Sequence, residues 1–264
     1  MAQSMDKLGQ DQIDESKAPF LEHLEELRWR LWRAVATMLV ATCVCFAFHD
    51  VIFVFITKPL FFVLEQQNLE SALKFRTVPG AFLFHFKTAI LGGIFISVPL
   101  ILFQAWRFVA PGLYSSERKL ALPFVFVSTL CFFGGALFAY TFVLPEAFAF
   151  LIGYNISDGA FQLQPDITIE DYLGFTSKLL LAFGVVFELP VGIGFLAAAG
   201  LVTHHDLLKF WRWAVVIAFV LGSMLTPPDP VTQLMLAIPL MALYGLSIGI
   251  AYLLSRGEAP TQDV

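Results

Sequence analysis

Six long apolar runs dominate the sequence, and they limit what this chain can fold into more strongly than any single motif does. A helix needs about 20 apolar residues to cross a hydrocarbon layer roughly 30 Å thick. The chain is 58% hydrophobic and only 14% charged, whereas soluble domains carry about 25% charged residues. The sequence therefore predicts an all-α, polytopic membrane protein with one integral membrane domain over residues 1–264. We expect six spans, at residues 31–48, 82–106, 120–144, 172–200, 211–225 and 231–254.

Two of these runs are irregular. Glu188, Leu189 and Pro190 interrupt the fourth run, and a proline inside a helix removes a backbone hydrogen bond. The fifth run has few uncharged residues after Trp213. A helix of about 15 residues covers only about 22 Å at 1.5 Å per residue. We therefore expect the fifth span to thin the bilayer locally or to be short by design.

The distribution of basic residues predicts the orientation of the chain. Cytoplasmic segments carry an excess of Lys and Arg, and an inside N-terminus puts eleven such residues inside and five outside. Both termini are therefore expected in the cytoplasm, and the protein is expected in a bacterial inner membrane. The first run would serve as an uncleaved insertion signal. The inner set is Lys7, Lys17, Arg28, Arg30, Arg33, Arg107, Arg118, Lys119, Lys209, Arg212 and Arg256, and the outer set is Lys58, Lys74, Arg76, Lys87 and Lys178.

The segment directly before the first run has the pattern of an amphipathic helix, predicted over residues 20–30. Its leucines recur at helical spacing. Glu26 and Arg30 are four residues apart with the acid first, an order that stabilises a helix. The segment is either a solvated helix that sets topology or a recognition surface at the membrane boundary.

Familiar catalytic and nucleotide-binding motifs are absent from the sequence. There is no GxxxxGK[ST] loop, HExxH motif or GxSxG elbow. The adjacent histidines His204 and His205 are poorly placed to chelate one ion together. The three cysteines lie within apolar runs, without the spacing of a metal site. We expect no enzyme activity, no cofactor and no metal.

Three acidic residues stand at unusual positions. Glu188 lies mid-span, where a charge costs about 2.5 kcal/mol or more, so it is protonated, paired or facing a polar cavity. Glu117 lies in a polar turn before the third run and acts either as a first-turn acid or, with Glu26, as part of a clamp for guanidinium groups. Asp229 in the TPPDP turn is typical of a turn former.

Four stretches in order resemble hallmark motifs of the TatC family, the signal-peptide-receptor subunits of the twin-arginine translocase. They are HLEELRWRL (His23–Leu31), FVAPGLYSSERKL (Phe108–Leu120), AFGVVFELPV (Ala182–Val191) and LTPPD (Leu225–Asp229). Each is weak alone, but together they span most of the chain. The resemblance implies a concave bundle of six helices whose last two are short.

The resemblance also implies a role for each matching residue. Glu26 and Glu117 correspond to acids that contact the paired arginines of a signal peptide, and the surrounding receptor surface would include Arg28, Arg30, Leu31 and Phe108. Glu188 corresponds to a buried glutamate where single-span TatA-like and TatB-like subunits dock. Pro59 and Asp229 would lie on the periplasmic side. The implied function is export of folded proteins by an oligomeric complex that uses the proton gradient, with no nucleic acid involved.

Two other classes fit parts of the pattern. A proton-coupled secondary transporter would use Glu188 as its proton-binding group and Pro190 as the mark of a broken helix, although no inverted repeat is visible. A scaffold or insertase for membrane proteins would need no arginine-binding acids. The pair formed by Glu26 and Glu117 therefore distinguishes a twin-arginine receptor from both alternatives.

Overall fold

The computed structural model gives the backbone of most of the chain and the side chains of a slightly smaller part. The backbone is described for residues 2–67, 69, 73–109, 121–153, 157–158, 161–162, 167–226 and 229–255, and side chains for 23–67, 69, 73–108, 123–153, 167–226 and 229–254.

The described residues are almost entirely helical. Within these residues a single hairpin pairs β1 (Ser157–Asp158) with β2 (Phe161–Gln162). In the described part of the chain, six helical segments are long and apolar enough to cross a membrane: His23–Ala47, Gly80–Phe108, Pro123–Gly153, Ile169–Ala198, His204–Leu225 and Pro230–Leu254. The prediction of an all-α protein with six membrane helices is therefore confirmed. The helices are α1 (Ala2–Ala47), α2 (His49–Gln66), α3 (Gly80–Val109), α4 (Ala121–Phe138), α5 (Leu144–Gly153), α6 (Ile169–Val186), α7 (Leu189–Ala198), α8 (His204–Leu225) and α9 (Pro230–Ser255).

The amphipathic segment and the first apolar run form one continuous helix, α1, rather than two elements. No Gly or Pro occurs between Phe20 and Ala47, so nothing in the sequence breaks the helix where its surface changes from charged to apolar. α1 packs along α3. Glu26 and the first span therefore lie on the same continuous helix.

Helix α2 lies in the polar connection between the first two spans and contains Pro59. A proline has no N–H and displaces the carbonyl four residues earlier, which here belongs to Phe55. The hydroxyl of Tyr140 donates to that carbonyl at 2.6 Å, and the hydroxyl of Tyr172 donates to the adjacent carbonyl of Ile56 at 2.5 Å. Two distant helical segments therefore satisfy the backbone around this proline and hold α2 in place.

The third span extends beyond the end predicted from its apolar run. A π-helical turn, Ala139–Val143, joins α4 to α5, and the helix continues past Pro145 to Gly153. Pro145 lies in the first turn of α5, where its missing N–H costs little. The π turn also carries Tyr140 to the carbonyl of Phe55.

The fourth span breaks where the sequence predicts an interruption. α6 ends at Val186 and α7 begins at Leu189, with Pro190 in its first turn. α7 then ends in a left-handed cap at Gly200, whose φ is +69°. The amide of Leu201 donates to the carbonyl of Leu196 at 2.9 Å, the long bond typical of this cap.

The fifth helix is longer than its apolar run predicts. α8 has 22 residues and begins at His204, before the predicted start at residue 211. Thr203 and Asp206 form a reciprocal capping box, which starts the helix in a polar sequence that a hydropathy pattern does not register. Only the later part of α8 is the short uncharged segment expected from the sequence.

The core is built from side chains of α2, α3, α5, α6 and α9. Its most enclosed side chains are Leu60, Phe84, Leu144, Tyr172, Leu179, Phe183 and Leu236. α8 packs against α9, which also contacts α7. Lys74 pairs with Thr168 in a parallel bridge between the segments that precede α3 and α6, and Arg76 lies 3.0 Å from Asp171. The helix α2, which lies outside the six spans, therefore contributes buried side chains to the core.

Candidate functional site

Glu26 lies on α1 and forms an ion pair with Arg30 one turn later. The Arg30 Nε donates to Glu26 Oε1 at 3.0 Å, and Arg30 Nη2 contacts the same oxygen. The Arg30 side chain is 10% exposed and that of Glu26 is 36% exposed. The pair confirms the i, i+4 interaction predicted from the sequence. Both donors use Oε1, and Oε2 lies 3.9 Å from Nδ1 of His23.

The end of α3 lies beside this part of α1. The imidazole of His23 stacks on the ring of Phe108, with centroids 4.3 Å apart and planes 14° from parallel. Arg107 is close enough to interact electrostatically with Glu26. The structure therefore brings together Glu26, Arg30 and Phe108, three of the residues predicted for one surface.

The remaining predicted surface residues differ in their exposure. Arg28 is exposed, and the side chain of Leu31 is 61% exposed. Trp29 and Trp32 are also exposed, which suits residues at the level of lipid headgroups. Glu117 lies in the 110–120 segment, outside the described residues, so its pairing with Glu26 stays a prediction.

Glu188 occupies the break between α6 and α7. Its carbonyl accepts from the amide of Gly192 at 2.8 Å, so its backbone begins α7. Its Oε1 atom is buried and has no hydrogen-bond partner among the described residues. The hydroxyl of Ser128 on α4 lies near the carboxyl group. The break therefore places a polar side chain between two spans.

Ser128 links Glu188 to an aromatic cluster on the neighbouring helices. The indole Nε1 of Trp106 donates to Ser128 Oγ at 2.7 Å. Trp106 packs on Phe124 and Phe195, with ring centroids 5.3 and 4.8 Å away. The sequence interpretation missed Trp106 and Ser128. An indole and a hydroxyl within apolar runs, each requiring a hydrogen-bond partner, were the available signals.

Pro59 and Asp229 have structural contacts. Pro59 is buried within α2. Asp229 caps α9: its Oδ1 accepts from the amide of Thr232 at 2.7 Å, and its Oδ2 accepts from the Thr232 hydroxyl. The turn-forming role expected of Asp229 is therefore realised as a helix cap.

An apolar cleft lies between α2, α3, α4 and α6. It encloses about 310 Å³. Its lining includes Ile52, Phe55, Leu91, Phe133 and Tyr140. The cleft is apolar, in contrast to the helix break at Glu188 and the charged surface at Glu26.

These features define a multi-pass α-helical membrane protein with a charged surface at one end of its first span. A family model described as "Sec-independent protein translocase protein (TatC)" matches residues 22–239. The chain therefore belongs to the TatC family, whose members are subunits of the twin-arginine translocase, a protein transport system. The family is a translocase component and not a family of catalytic enzymes.

Curated relatives match over most of the chain. A Magnetococcus marinus protein named Sec-independent protein translocase protein TatC is 41% identical over 234 residues, covering 89% of this chain and 84% of the relative. An Aquifex aeolicus protein of the same name is 36% identical over 244 residues, covering 92% and 99%. The similarity is therefore spread over the whole membrane domain.

Solved structures share the fold. A crystal structure described as the twin arginine translocase receptor TatC superposes with a TM-score of 0.78 at 35% identity, covering 89% of this chain and all of that one. A second, obtained in the detergent DDM, gives a TM-score of 0.77 at 36% identity, covering 87% and 99%.

Proposed function

We propose that this chain recognises twin-arginine signal peptides at the cytoplasmic face of a bacterial inner membrane, with both of its termini in the cytoplasm. Together with single-span TatA-like and TatB-like subunits, it exports folded proteins using the proton gradient. Support for this proposal comes from the similar proteins, which include a Sec-independent protein translocase protein and a twin arginine translocase receptor.

The observation that carries the proposal is the asymmetric use of the Glu26 carboxylate. Arg30 engages Oε1 through two nitrogens, while among the residues whose side chains the structure describes Oε2 has only the longer contact with His23. The half-exposed carboxylate therefore retains an oxygen that can accept from an incoming guanidinium. A charge-assisted hydrogen bond of this kind contributes about 1.5 to 3 kcal/mol.

The surroundings of Glu26 suit a peptide that carries an apolar segment after its arginines. Phe108 stacks on His23 beside the acid, and Leu31 is exposed further along α1. Glu117 follows Phe108 by nine positions in the sequence and supplies the second acid of the proposed clamp. Arg28 completes the receptor surface. The planar fork of arginine matches two carboxylates in a way that lysine does not.

Glu188 would act after recognition, as part of the surface on which the single-span subunits assemble with α8 and α9. Its buried Oε1 has no partner among the described residues, so a polar group on another subunit can satisfy it. The same observation favours a second function, in which Glu188 is the proton-binding group of a secondary transporter.

Export of a folded reporter tests the proposal in cells whose own receptor is replaced by this chain. A reporter with an Arg-Arg signal peptide should be exported, and the same reporter with Lys-Lys should remain in the cytoplasm. Equal export of both reporters would overturn the receptor assignment. Proton-driven uptake of a small solute that requires Glu188, without reporter export, would favour the transporter.

A further inference from the structure

A cluster of metal-ligating side chains lies at the other end of the first span from Glu26, where the chain turns from α1 into α2. His49 and Asp50 open α2, and His85 lies in the second turn of α3. One ligand atom from each residue lies within 4.8 Å of the others. Neither the membrane framework nor the proposed receptor surface uses these three side chains.

The hydrogen bond of His49 determines which of its nitrogens is available. His49 Nδ1 lies 2.8 Å from the carbonyl oxygen of Phe46. A carbonyl can only accept, so Nδ1 carries a proton. In a neutral imidazole the other nitrogen, Nε2, then presents a lone pair. A backbone carbonyl that orients a histidine through its second nitrogen is a common arrangement around bound metals.

That lone pair faces a carboxylate. His49 Nε2 lies 3.3 Å from Asp50 Oδ1. Two lone pairs at this distance repel each other unless a metal ion lies between them or a proton joins them, as in an ion pair with protonated His49. Zinc binds nitrogen and oxygen at about 2.0 to 2.2 Å, which puts two tetrahedral ligands about 3.3 to 3.5 Å apart. The spacing of these two atoms therefore fits two ligands of one ion.

His85 supplies an independent observation. Its Nδ1 atom is buried and has no hydrogen-bond partner among the described residues, although a buried polar atom without a partner is costly. The ring lies edge-on to His49, with centroids 4.4 Å apart. A side-chain shift of about 1 to 1.5 Å brings a His85 nitrogen to zinc-ligand distance.

The ordinary explanation of Asp50 is an acid in the first turn of α2, which stabilises the helix N-terminus. It accounts for the acid but not for the orientation of His49 or the unpartnered nitrogen of His85. We propose that His49, Asp50 and His85 bind one Zn²⁺ ion, with water in the fourth position. The ion would link the turn between α1 and α2 to α3.

Metal binding by the purified full-length protein tests this site. The protein is purified in detergent with an affinity tag that contains no histidine and is stripped with EDTA. Zn²⁺ binding is measured by calorimetry, and Co²⁺ is added as a spectroscopic probe of tetrahedral coordination. We expect one equivalent of Zn²⁺ with a dissociation constant on the order of 10 µM or lower, and Zn²⁺ should raise the thermal midpoint.

Substitutions assign the ligands. His49→Ala, His85→Ala and Asp50→Asn should each weaken Zn²⁺ binding at least tenfold and abolish the thermal shift. His205→Ala, which removes an exposed imidazole from α8, should leave both unchanged. His85→Gln replaces His85→Ala if the smaller side chain lowers the thermal midpoint in EDTA. Wild-type protein that binds no Zn²⁺ would overturn the proposal, as would ligand variants that retain its affinity. If His49 and Asp50 form only an ion pair, the wild-type protein should bind no Zn²⁺.

Discussion

Glu26 and Arg30 form an ion pair in which the arginine is largely buried and the acid is not. The Arg30 side chain is 10% exposed, against 36% for Glu26, and its two donors use the same carboxylate oxygen. An arginine fixed in this way orients the carboxylate while leaving its second oxygen accessible. The pair is therefore a positioning device as well as a helix contact.

Replacing Glu26 should weaken binding of a twin-arginine signal peptide. Glu26→Gln keeps the shape of the side chain but removes the charge, so we expect a loss of about 1.5 to 3 kcal/mol, or roughly 10- to 150-fold in affinity. Crosslinking of a labelled peptide to the inserted protein measures the effect. Glu25→Gln, an exposed acid one residue away, is the matched control and should bind normally. Wild-type crosslinking to Glu26→Gln would contradict the receptor role.

Replacing Glu188 should separate recognition from assembly. Its carboxyl group lies at the break between α6 and α7, whereas Glu26 lies on α1, so Glu188→Ala should leave peptide capture nearly intact and reduce association with the single-span subunits. Co-purification of those subunits measures the loss. Glu146→Ala, an exposed acid on α5, should assemble as wild type. Loss of peptide capture in Glu188→Ala would show that the two roles are not separate.

The sequence predicted the features that depend on local pattern. Six apolar runs became six membrane helices, and the spacing of Glu26 and Arg30 became an ion pair. The start of α8 was missed because its capping box lies in a polar stretch. The continuity of α1 was missed because a change from charged to apolar surface suggested a boundary that the backbone does not have.

Contacts between distant segments could not be predicted in the same way. The hydroxyl of Tyr172 reaches a carbonyl 116 positions earlier, and the indole of Trp106 reaches a serine 22 positions later. Hydropathy periodicity places a residue on a helix but does not pair one helix with another. The proposed clamp is also a contact between distant segments, because it joins α1 to the segment that contains Glu117.

The two tyrosine contacts with α2 should differ in strength. Tyr172 is almost fully enclosed, so Tyr172→Phe leaves the carbonyl of Ile56 without its partner in the core and should cost about 1 to 3 kcal/mol. The bond from Tyr140 to Phe55 is in an exposed environment, so the freed carbonyl is not enclosed by the protein core, and Tyr140→Phe should cost less. Thermal unfolding in detergent ranks the variants. Equal midpoints would show that α2 is held by packing alone.

The cap of α9 should contribute measurably to stability. Asp229→Ala removes both acceptors used by Thr232 and should destabilise the protein by about 0.5 to 2 kcal/mol. Asp229→Asn retains an acceptor oxygen and should behave nearly as wild type. The thermal midpoints of the two variants provide the comparison, and a midpoint for Asp229→Ala equal to that of Asp229→Asn would exclude the cap as a source of stability.

Two adjacent glycines on α4 offer a matched test of close helix packing. A Cβ atom added to Gly135 would lie 2.5 Å from the carbonyl oxygen of Phe183 and 2.7 Å from Cγ of Phe187, whereas one added to Gly134 meets nothing within 4 Å. Small residues let membrane helices approach closely, so Gly135→Ala must push α4 away from α6.

We expect Gly135→Ala to lower stability by about 1 to 3 kcal/mol through overpacking. Gly134→Ala should be neutral or stabilising by up to about 1 kcal/mol, because alanine has the higher helix propensity. Thermal midpoints in detergent measure both changes. The contrast isolates packing from propensity, since the two substitutions are chemically identical and neighbours on one helix. If both variants shift the midpoint in the same direction by the same amount, the contact between α4 and α6 tolerates an added methyl group.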